Sequence, residues 1–437
     1  MPREPNSSLY KVITRAIGTI SCKEKLKQVL AAPLYTNALY LTADMATTAL
    51  LGFAFWVVAA RFYNASDVGF ATAILSAAMF LAILSCLGFD AALIRFLPGA
   101  DRPDKLLNTS FTLCGVVGLL SGTLFLLGLP LWSPALGFIR GSAISSVTFV
   151  IFVGLLTLSG LVGNSYIAQR QAKFTFFMGI TSSVLKIALA ILLAGFFYSF
   201  GIVGAYALAT AVAVVIGISV FLPKVMAGYK MLPELKTSLI KDVWRYSSAN
   251  YLASLLFGAS RWLLPVIVLN VLGPEANAYF YIAFTMASLL FILPFAVSGS
   301  LFAEGSHFED KLGENVIKSL KFTFLILVPG VILLLLAGKW LLLLFGKSYS
   351  ANALQLLWLM GLSSLPLSIN CIYATILQVT GRLKELIIIW GLTAIGVLGG
   401  SYLIMPIVGI IGVGYALLGT YTLVTIYVLS TRRLPIR

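Results

Sequence analysis

Two basic side chains, Lys186 and Arg261, stand near the middle of long apolar stretches, where a cation could bind an anion. A charged group at the centre of a membrane helix costs about 2.5–3.5 kcal/mol, so each should face a watery cavity or an opposite charge. Asn250 and Ser254 lie 11 and 7 residues before Arg261, which places the three within about 40° of one another on a helix. The sequence therefore predicts a cationic binding cavity that contains Lys186, Arg261, Asn250 and Ser254.

Acidic residues near the same stretches offer a second kind of chemistry. Asp44 lies in the first apolar stretch, and Asp90 and Arg95 lie near the end of the second. These side chains could bind a coupling ion, or they could form buried ion pairs that fix helix packing, such as Asp44 with Lys186. Both interpretations stay open for them. The second half of the chain has no carboxylate at a depth comparable to that of Arg261, which favours a binding role for this residue.

The sequence contains no motif typical of an enzyme. A phosphate-binding glycine loop, a nucleophile elbow and an HExxH metal motif are all missing. His307 is the only histidine, and the four cysteines (Cys22, Cys86, Cys114 and Cys371) are scattered without the spacing of metal ligands. We therefore expect no catalytic residue, no metal and no cofactor.

Membrane-spanning helices must position these side chains. Hydrophobic residues make up 60% of the chain and charged residues 10%, whereas soluble proteins average about 25% charged. Twelve apolar stretches approach or exceed the roughly 20 residues that an α-helix needs to cross a bilayer. The pattern excludes a soluble protein and predicts an all-α polytopic membrane protein with 12 transmembrane helices. The stretches run over 34–60, 68–94, 107–130, 144–168, 174–198, 202–222, 247–271, 277–301, 319–338, 351–378, 384–406 and 409–430.

The distribution of basic residues predicts the orientation of these helices. The amino-terminal tail, the gaps after even-numbered stretches and the stretch ends that adjoin these gaps hold 24 of the 30 Lys and Arg residues. The positive-inside rule therefore places both termini in the cytoplasm and the protein in the cytoplasmic membrane. These loops account for most of the net charge of +15, so we expect contact with anionic membrane lipids and not with nucleic acid.

The chain divides into two halves of six predicted helices at its longest internal gap. At a constant offset of 209 residues, the segment Asn64–Phe70 aligns with Gly273–Tyr279, and both follow the first helix of their half. Six is an even number, so both halves enter the membrane from the same side. This predicts a parallel repeat, in which a pseudo-two-fold axis along the membrane normal relates the two lobes.

The predicted domain boundaries follow from this division. Apolar residues recur at helical spacing among the lysines and arginines near the amino terminus, which predicts a basic amphipathic segment on the cytoplasmic membrane surface. The predicted parts are this segment (1–33), an N-terminal six-helix lobe (34–222), a cytoplasmic linker (223–246), a C-terminal six-helix lobe (247–430) and a cytoplasmic tail (431–437).

Four short segments and the two-lobe layout resemble a known family. The segments are Ala60–Gly69, Ala278–Ala283, Ala303–His307 and Leu344–Tyr349. They resemble the polysaccharide biosynthesis proteins, the O-antigen and capsule flippases of the multidrug/oligosaccharidyl-lipid/polysaccharide exporter superfamily. The resemblance implies a V-shaped pair of six-helix bundles that work by alternating access. It also implies a lipid-linked oligosaccharide as cargo, whose diphosphate basic residues would bind. By depth in the membrane, Lys186 and Arg261 are the positions that match this role.

Three functional hypotheses follow. The first is a non-enzymatic flippase that moves a polyprenyl-diphosphate-linked oligosaccharide, a repeat unit of a surface polysaccharide, across the cytoplasmic membrane. Its partners would be the lipid-linked oligosaccharide, membrane lipids, and possible glycan polymerases and glycosyltransferases. The second is a proton- or sodium-coupled exporter of small cations, which Asp44 and Asp90 favour and an unpaired Arg261 opposes. The third is a scaffold of a glycan-assembly complex that transports nothing.

Overall fold

The structure, a computed structural model, describes residues 33–194, 197–307 and 312–430. In this part of the chain, 12 helices are long and apolar enough to cross a membrane, which confirms the prediction. The predicted amphipathic segment, apart from Pro33, and the predicted tail at 431–437 lie outside the described residues. The 12 helices are α1 Pro33–Phe62, α2 Ala65–Ser85, α3 Pro103–Leu127, α4 Ala143–Ala168, α5 Ala172–Leu192, α6 Tyr198–Ile216, α7 Thr237–Trp262 with its continuation Leu264–Leu272, α8 Pro274–His307, α9 Leu312–Leu343, α10 Lys347–Val379, α11 Leu383–Val408 and α12 Ile411–Ser430.

The helices form two lobes of six, α1–α6 and α7–α12, and the same neighbours recur in both. In the first lobe α1 packs on α5, α2 and α6 pack on α4, α3 packs on α4, and α5 packs on α6. The equivalent pairs pack in the second lobe, where α7 contacts α11, α8 and α12 contact α10, α9 contacts α10, and α11 contacts α12. This recurrence confirms the parallel repeat. The residue boundaries predicted for the lobes remain a prediction.

The second apolar stretch does not continue to residue 94 as predicted. α2 ends at Ser85, and a separate short helix, Phe89–Phe96, follows. Leu87 and Gly88 lie between them with φ angles of 49° and 81°, in the left-handed region that a continuous helix does not use. Hydropathy alone misses this break because both segments are apolar. The short helix carries Asp90 and Arg95, which therefore lie beyond the membrane-spanning part of α2.

The two lobes meet most closely where α2 faces α8. A Cβ atom on Gly69 would lie 1.7 Å from the carbonyl oxygen of Pro274, so only glycine fits this position. Asn277 donates a hydrogen bond from Nδ2 to the Gly69 carbonyl at 2.7 Å and another to Thr72 Oγ1 at 3.1 Å. The contact lies beside the α1–α2 and α7–α8 turns. We name this end of the molecule the outer end, since the charge pattern predicts that it faces away from the cytoplasm.

We expect Gly69→Ala to destabilise the protein because the added methyl group would overlap a backbone atom of the other lobe. Overpacking of a tight site typically costs about 1–3 kcal/mol. The matched control is Gly399→Ala in α11, where a Cβ would meet nothing within 4 Å. The unfolding temperature of the purified proteins in one detergent measures the effect. Equal unfolding temperatures for the two variants would contradict this description of the interface.

Candidate functional site

A cavity of about 410 Å³ lies between the lobes, where α1 of the first lobe faces α7 and α8 of the second. Seven aromatic side chains line it together with one cation, one carboxylate and a few hydroxyl groups. Its principal lining residues are Asp44, Thr48, Phe53, Trp56, Arg261, Trp262, Tyr281, Phe284, Thr285, Ser288, Phe291 and Phe295.

Arg261 occupies the last turn of the first part of α7, immediately before the helix breaks. The break follows from Pro265, which has no N–H to donate to the carbonyl of Arg261 four residues earlier. The guanidinium carbon lies 5.1 Å from the Trp262 ring centroid and 5.9 Å from that of Phe284. The buried Nε finds no hydrogen-bond acceptor among the described residues. Arg261 therefore lines the cavity with a cation whose buried Nε has no partner within the described protein.

Asp44 lines the opposite wall of the same cavity, on α1. Its Oδ1 accepts a hydrogen bond from Thr48 Oγ1 at 3.4 Å. The carboxylate also lies against the backbone of α5, because a Cβ on Gly179 would come within 2.4 Å of Oδ1. The cavity thus has a carboxylate on the first lobe and a guanidinium on the second, and these two groups form no ion pair in the structure.

Lys186 is buried inside the first lobe and does not line the cavity. Its side chain is 6% exposed, with Nζ 3.4 Å from the Tyr206 hydroxyl. The ammonium lies 4.6 Å from the Tyr206 ring centroid and 5.8 Å from that of Phe55. Phe55 packs on Trp56 at 5.0 Å, and Trp56 packs on Tyr281 at 4.8 Å. A row of aromatic rings therefore separates Lys186 from the cavity.

The structure does not contain the suggested ion pair between Asp44 and Lys186. Asp44 contacts α5 at Gly179, seven residues before Lys186, which corresponds to about 10.5 Å along a helix. In the described ranges Lys186 takes part in no ion pair, and aromatic faces and one phenol surround its charge. The sequence placed Asp44 in the cytoplasmic half of the first helix and Lys186 at the centre of the fifth, but it did not specify which helices pack together.

The predicted polar stripe on α7 divides between two cavities. Arg261 lines the cavity between the lobes, whereas Ser254 lines a smaller cavity of about 190 Å³ inside the second lobe. Phe257 and Phe295 pack edge to face at 5.2 Å, and Phe295 lines both cavities, so these rings form the partition. Asn250 lines neither cavity.

Asp90 and Arg95 lie on the short helix after α2 and do not line the cavity between the lobes. The backbone carbonyl of Asp90 accepts a hydrogen bond from Asn164 Nδ2 at 3.2 Å. Burial raises the pKa of the Asp90 carboxyl. Arg95 is exposed. A coupling or structural role for these two residues remains a prediction.

A family model described as polysaccharide biosynthesis protein matches residues 58–354, more than half of the chain. The chain belongs to this family. The match includes Arg261, Lys186 and the aromatic residues of α8, while Asp44 lies before its start. No curated protein matches the sequence significantly.

Solved structures of the multidrug/oligosaccharidyl-lipid/polysaccharide (MOP) exporter superfamily have the same fold as this protein at low sequence identity. An inward-facing multidrug resistance MATE family transporter gives a TM-score of 0.69 at 15% identity, covering 92% of this chain and 98% of its own. The lipid II flippase MurJ, in an inward closed conformation, gives 0.72 at 12% identity, with 91% and 88% covered. A MOP superfamily transporter from Pyrococcus furiosus, whose title describes a reverse polarity of the binding pocket, gives 0.61 at 15% identity, with 92% and 96% covered.

The aromatic walls of the cavity were not among the residues predicted from the sequence. A signal for them exists in α8, where Tyr281, Phe284, Ser288, Phe291 and Phe295 recur every three or four residues. This spacing places them on one face of a helix, and Ser288 makes that face less apolar than a lipid-facing surface. The same periodicity is typical of buried core residues, so it did not single out a cavity.

We expect Lys186→Met to leave the stability of the protein unchanged or to raise it. Methionine fills a similar volume and removes a buried charge that has no ion-pair partner. Removing one member of a buried ion pair would instead cost about 3–5 kcal/mol. The unfolding temperature in detergent distinguishes the two cases, and a marked decrease would show that Lys186 has a charged partner in the folded protein.

Proposed function

We propose that the protein is a flippase that carries a polyprenyl-diphosphate-linked oligosaccharide across the cytoplasmic membrane by alternating access, without catalysing a reaction. The observation that carries this proposal is Arg261, a cation that lines a cavity between the two lobes and whose buried Nε has no hydrogen-bond partner among the described residues. A diphosphate is a natural ligand for this group because guanidinium binds phosphate oxygens with charge-assisted hydrogen bonds. Membership of the polysaccharide biosynthesis protein family supports the same cargo.

The aromatic lining of the cavity supports a glycan next to the diphosphate. Trp56, Trp262 and Tyr281 present large rings to the cavity, together with the hydroxyl groups of Thr285 and Ser288. Aromatic faces pack well against the C–H faces of sugar rings, and the hydroxyl groups can exchange hydrogen bonds with the sugar. A cavity for an inorganic anion would need neither feature.

The shape of the lobe interface supports a lipid tail that stays in the bilayer. The cavity occupies the seam between α1 and α8. In the equivalent seam between α2 and α7, Tyr251 donates a hydrogen bond to the Leu84 carbonyl at 2.7 Å, and Ser247 fills the space beside Gly88. Farther along this seam lies a second cavity of about 420 Å³ with an almost entirely apolar lining. The polyprenyl chain would leave through one of these seams while the headgroup occupies the cavity between α1 and α8.

The remaining elements of this proposal concern orientation and partners. Both termini would be cytoplasmic, the lobes would comprise residues 34–222 and 247–430, and the cargo would pass from glycosyltransferases on one side to a polymerase on the other. Lys186 would contribute to binding only after the aromatic row moves, and Ser254 and Asn250 would act outside the main cavity. Asp44 would bind a coupling cation opposite the diphosphate.

We expect farnesyl diphosphate, a short polyprenyl diphosphate, to stabilise the purified protein, and farnesol to have a much smaller effect. A ligand present at 100 times its Kd stabilises the folded state by about 2.7 kcal/mol, which raises the unfolding temperature by a few degrees. Arg261→Gln should abolish the stabilisation that depends on the diphosphate, and Arg261→Lys should retain some of this stabilisation. The matched control is Arg140→Gln, on the exposed segment between α3 and α4. If farnesyl diphosphate raised the unfolding temperature of the Arg261→Gln protein as much as that of the unsubstituted protein, the result would contradict the proposed anion site.

In cells that depend on this protein for surface polysaccharide, we expect Arg261→Ala to decrease the amount of polymer at least tenfold. Lys186→Ala should have a smaller effect because Lys186 does not reach the cavity in this conformation. Membrane levels of each variant provide the control. Normal polysaccharide in both variants would rule out the cationic-cavity mechanism, and it would favour a scaffold if substitutions in the loops were harmful instead.

Export of a small cation is the second candidate, and Asp44 is the observation that favours it. Its carboxylate lines the same cavity as Arg261, so the cavity could hold a cation near α1. The nearby guanidinium would repel such a cation, which makes this candidate weaker. We expect tetraphenylphosphonium to leave the unfolding temperature unchanged. Stabilisation by this cation that disappears in Asp44→Asn would favour the exporter.

A further inference from the structure

Arg61 and Asn270 connect the two lobes at the outer end, and the internal repeat maps these residues onto each other. They lie 209 residues apart, the offset that aligns the turns after α1 and α7. Arg61 ends the first helix of one lobe, and Asn270 lies in the last turn of the first helix of the other. Equivalent positions in the two lobes therefore both reach across the interface.

Arg61 docks on the carboxyl-terminal end of α9, in the second lobe. Its Nε donates to the Leu344 carbonyl at 2.9 Å, and Nη2 donates to the Leu343 carbonyl at 3.0 Å. The last carbonyls of a helix have no partner inside it, and they form the negative end of the helix dipole. A guanidinium is well suited to this place because it offers several donors and a positive charge.

Asn270 docks on the equivalent place in the first lobe, the segment that follows α3. Its Oδ1 accepts a hydrogen bond from the Ala135 N–H at 3.2 Å, and its Nδ2 donates to Ser133 Oγ at 3.0 Å. Ala135 lies near the start of a short 3₁₀ helix, Pro134–Gly141, where backbone N–H groups need an external acceptor. The chemistry is thus inverted, with a donor side chain at a helix end in one lobe and an acceptor at a helix start in the other.

We infer that Arg61 and Asn270 are a pair of latches that hold the outer end of the lobe interface closed and that release together when it opens. The two latches and the Asn277 contact with Gly69 and Thr72 all join the lobes at this end, so separation of the lobes here breaks both latches. Arg61 is exposed to solvent, so water can replace its two acceptors during opening. The inference rests on alternating access, which is part of the proposed function, but it does not depend on the cargo.

The latch also accounts for a basic residue that the charge pattern leaves unexplained. Arg61 is one of only four Lys and Arg residues in the gaps that the positive-inside rule assigns to the outer side. Arg140, in another of these gaps, is exposed and borders a groove of the first lobe, with Val147 and Val150 nearby. Arg140 makes no hydrogen bond to the other lobe within the described part of the chain, so it offers a matched control of equal charge.

Thiol accessibility in the absence of cargo tests the latches. Ser76 is fully buried on the face of α2 that also carries Gly69 and Thr72, and serine tolerates replacement by the similar cysteine. Ser76→Cys, in a chain whose four native cysteines are changed to serine, would be labelled in intact cells with a charged maleimide that does not cross membranes. We expect slow labelling, accelerated about tenfold or more by Arg61→Gln, since hydrogen bonds to charged groups are the stronger ones.

Additional variants make the outcome decisive. Asn270→Ala should also accelerate labelling, Asn270→Asp should do so less because its carboxylate can still accept from Ala135, and Arg140→Gln should have no effect. Unchanged labelling in both Arg61→Gln and Asn270→Ala, in proteins that remain monodisperse in detergent, would overturn the inference. Accelerated labelling only in inside-out vesicles would overturn the assignment of the latches to the outer face.

The proposed function can fail independently of the latches. If Arg61→Gln accelerates labelling but Arg261→Gln retains its response to farnesyl diphosphate, the result supports the latches and contradicts the anion site. If labelling is unchanged while the Arg261 variants behave as proposed, the result supports the anion site and contradicts the latches.

Discussion

The close approach of α2 and α8 at Gly69 and Pro274 is the constraint on which the rest of the molecule depends. Two lobes with little polar surface need a specific contact to define their relative position in a bilayer, because lipid tails are as apolar as the helices themselves. A glycine allows two backbones to meet, and Asn277 converts this proximity into hydrogen bonds of defined direction. The cavity lies between the lobes that this contact joins, where α1 faces α7 and α8.

The cavity combines features that are costly in a membrane, and the fold positions them near its middle. Arg261 lies where a proline interrupts α7, so its carbonyl receives no hydrogen bond from residue 265. Trp262 and Phe284 partly compensate the charge through their ring faces without consuming its donors. Among the described residues no carboxylate pairs with this guanidinium, as the proposed anion site requires. This condition distinguishes a binding site from a structural ion pair.

The helices and the topology could be predicted from the sequence, whereas the arrangement around the site could be predicted only in part. Span length and the alternation of basic loops depend on local composition, so 12 helices in two lobes followed directly. Arg261 lines a cavity, and a charge in the middle of a span has few alternatives. Lys186 was expected in the same cavity. Its position relative to α1 depends on how the helices pack against one another, and no local sequence pattern specifies this packing. For the same reason Ser254, on nearly the same helical face as Arg261, lines a different cavity beyond Phe257 and Phe295.

The break after Ser85 was missed because it depends on two backbone dihedral angles in an apolar segment.

The charge of Arg261 also couples movement of the second lobe to the membrane voltage. An arginine side chain stays protonated in proteins, so any movement of the second lobe that changes the depth of Arg261 carries a positive charge through the transmembrane field. A full traverse corresponds to about 2.3 kcal/mol per 100 mV, and part of a traverse to a proportional share. In the proposed function, a bound dianionic headgroup would reverse the sign of the moving charge. Membrane voltage would then act in opposite directions on the empty and the loaded protein.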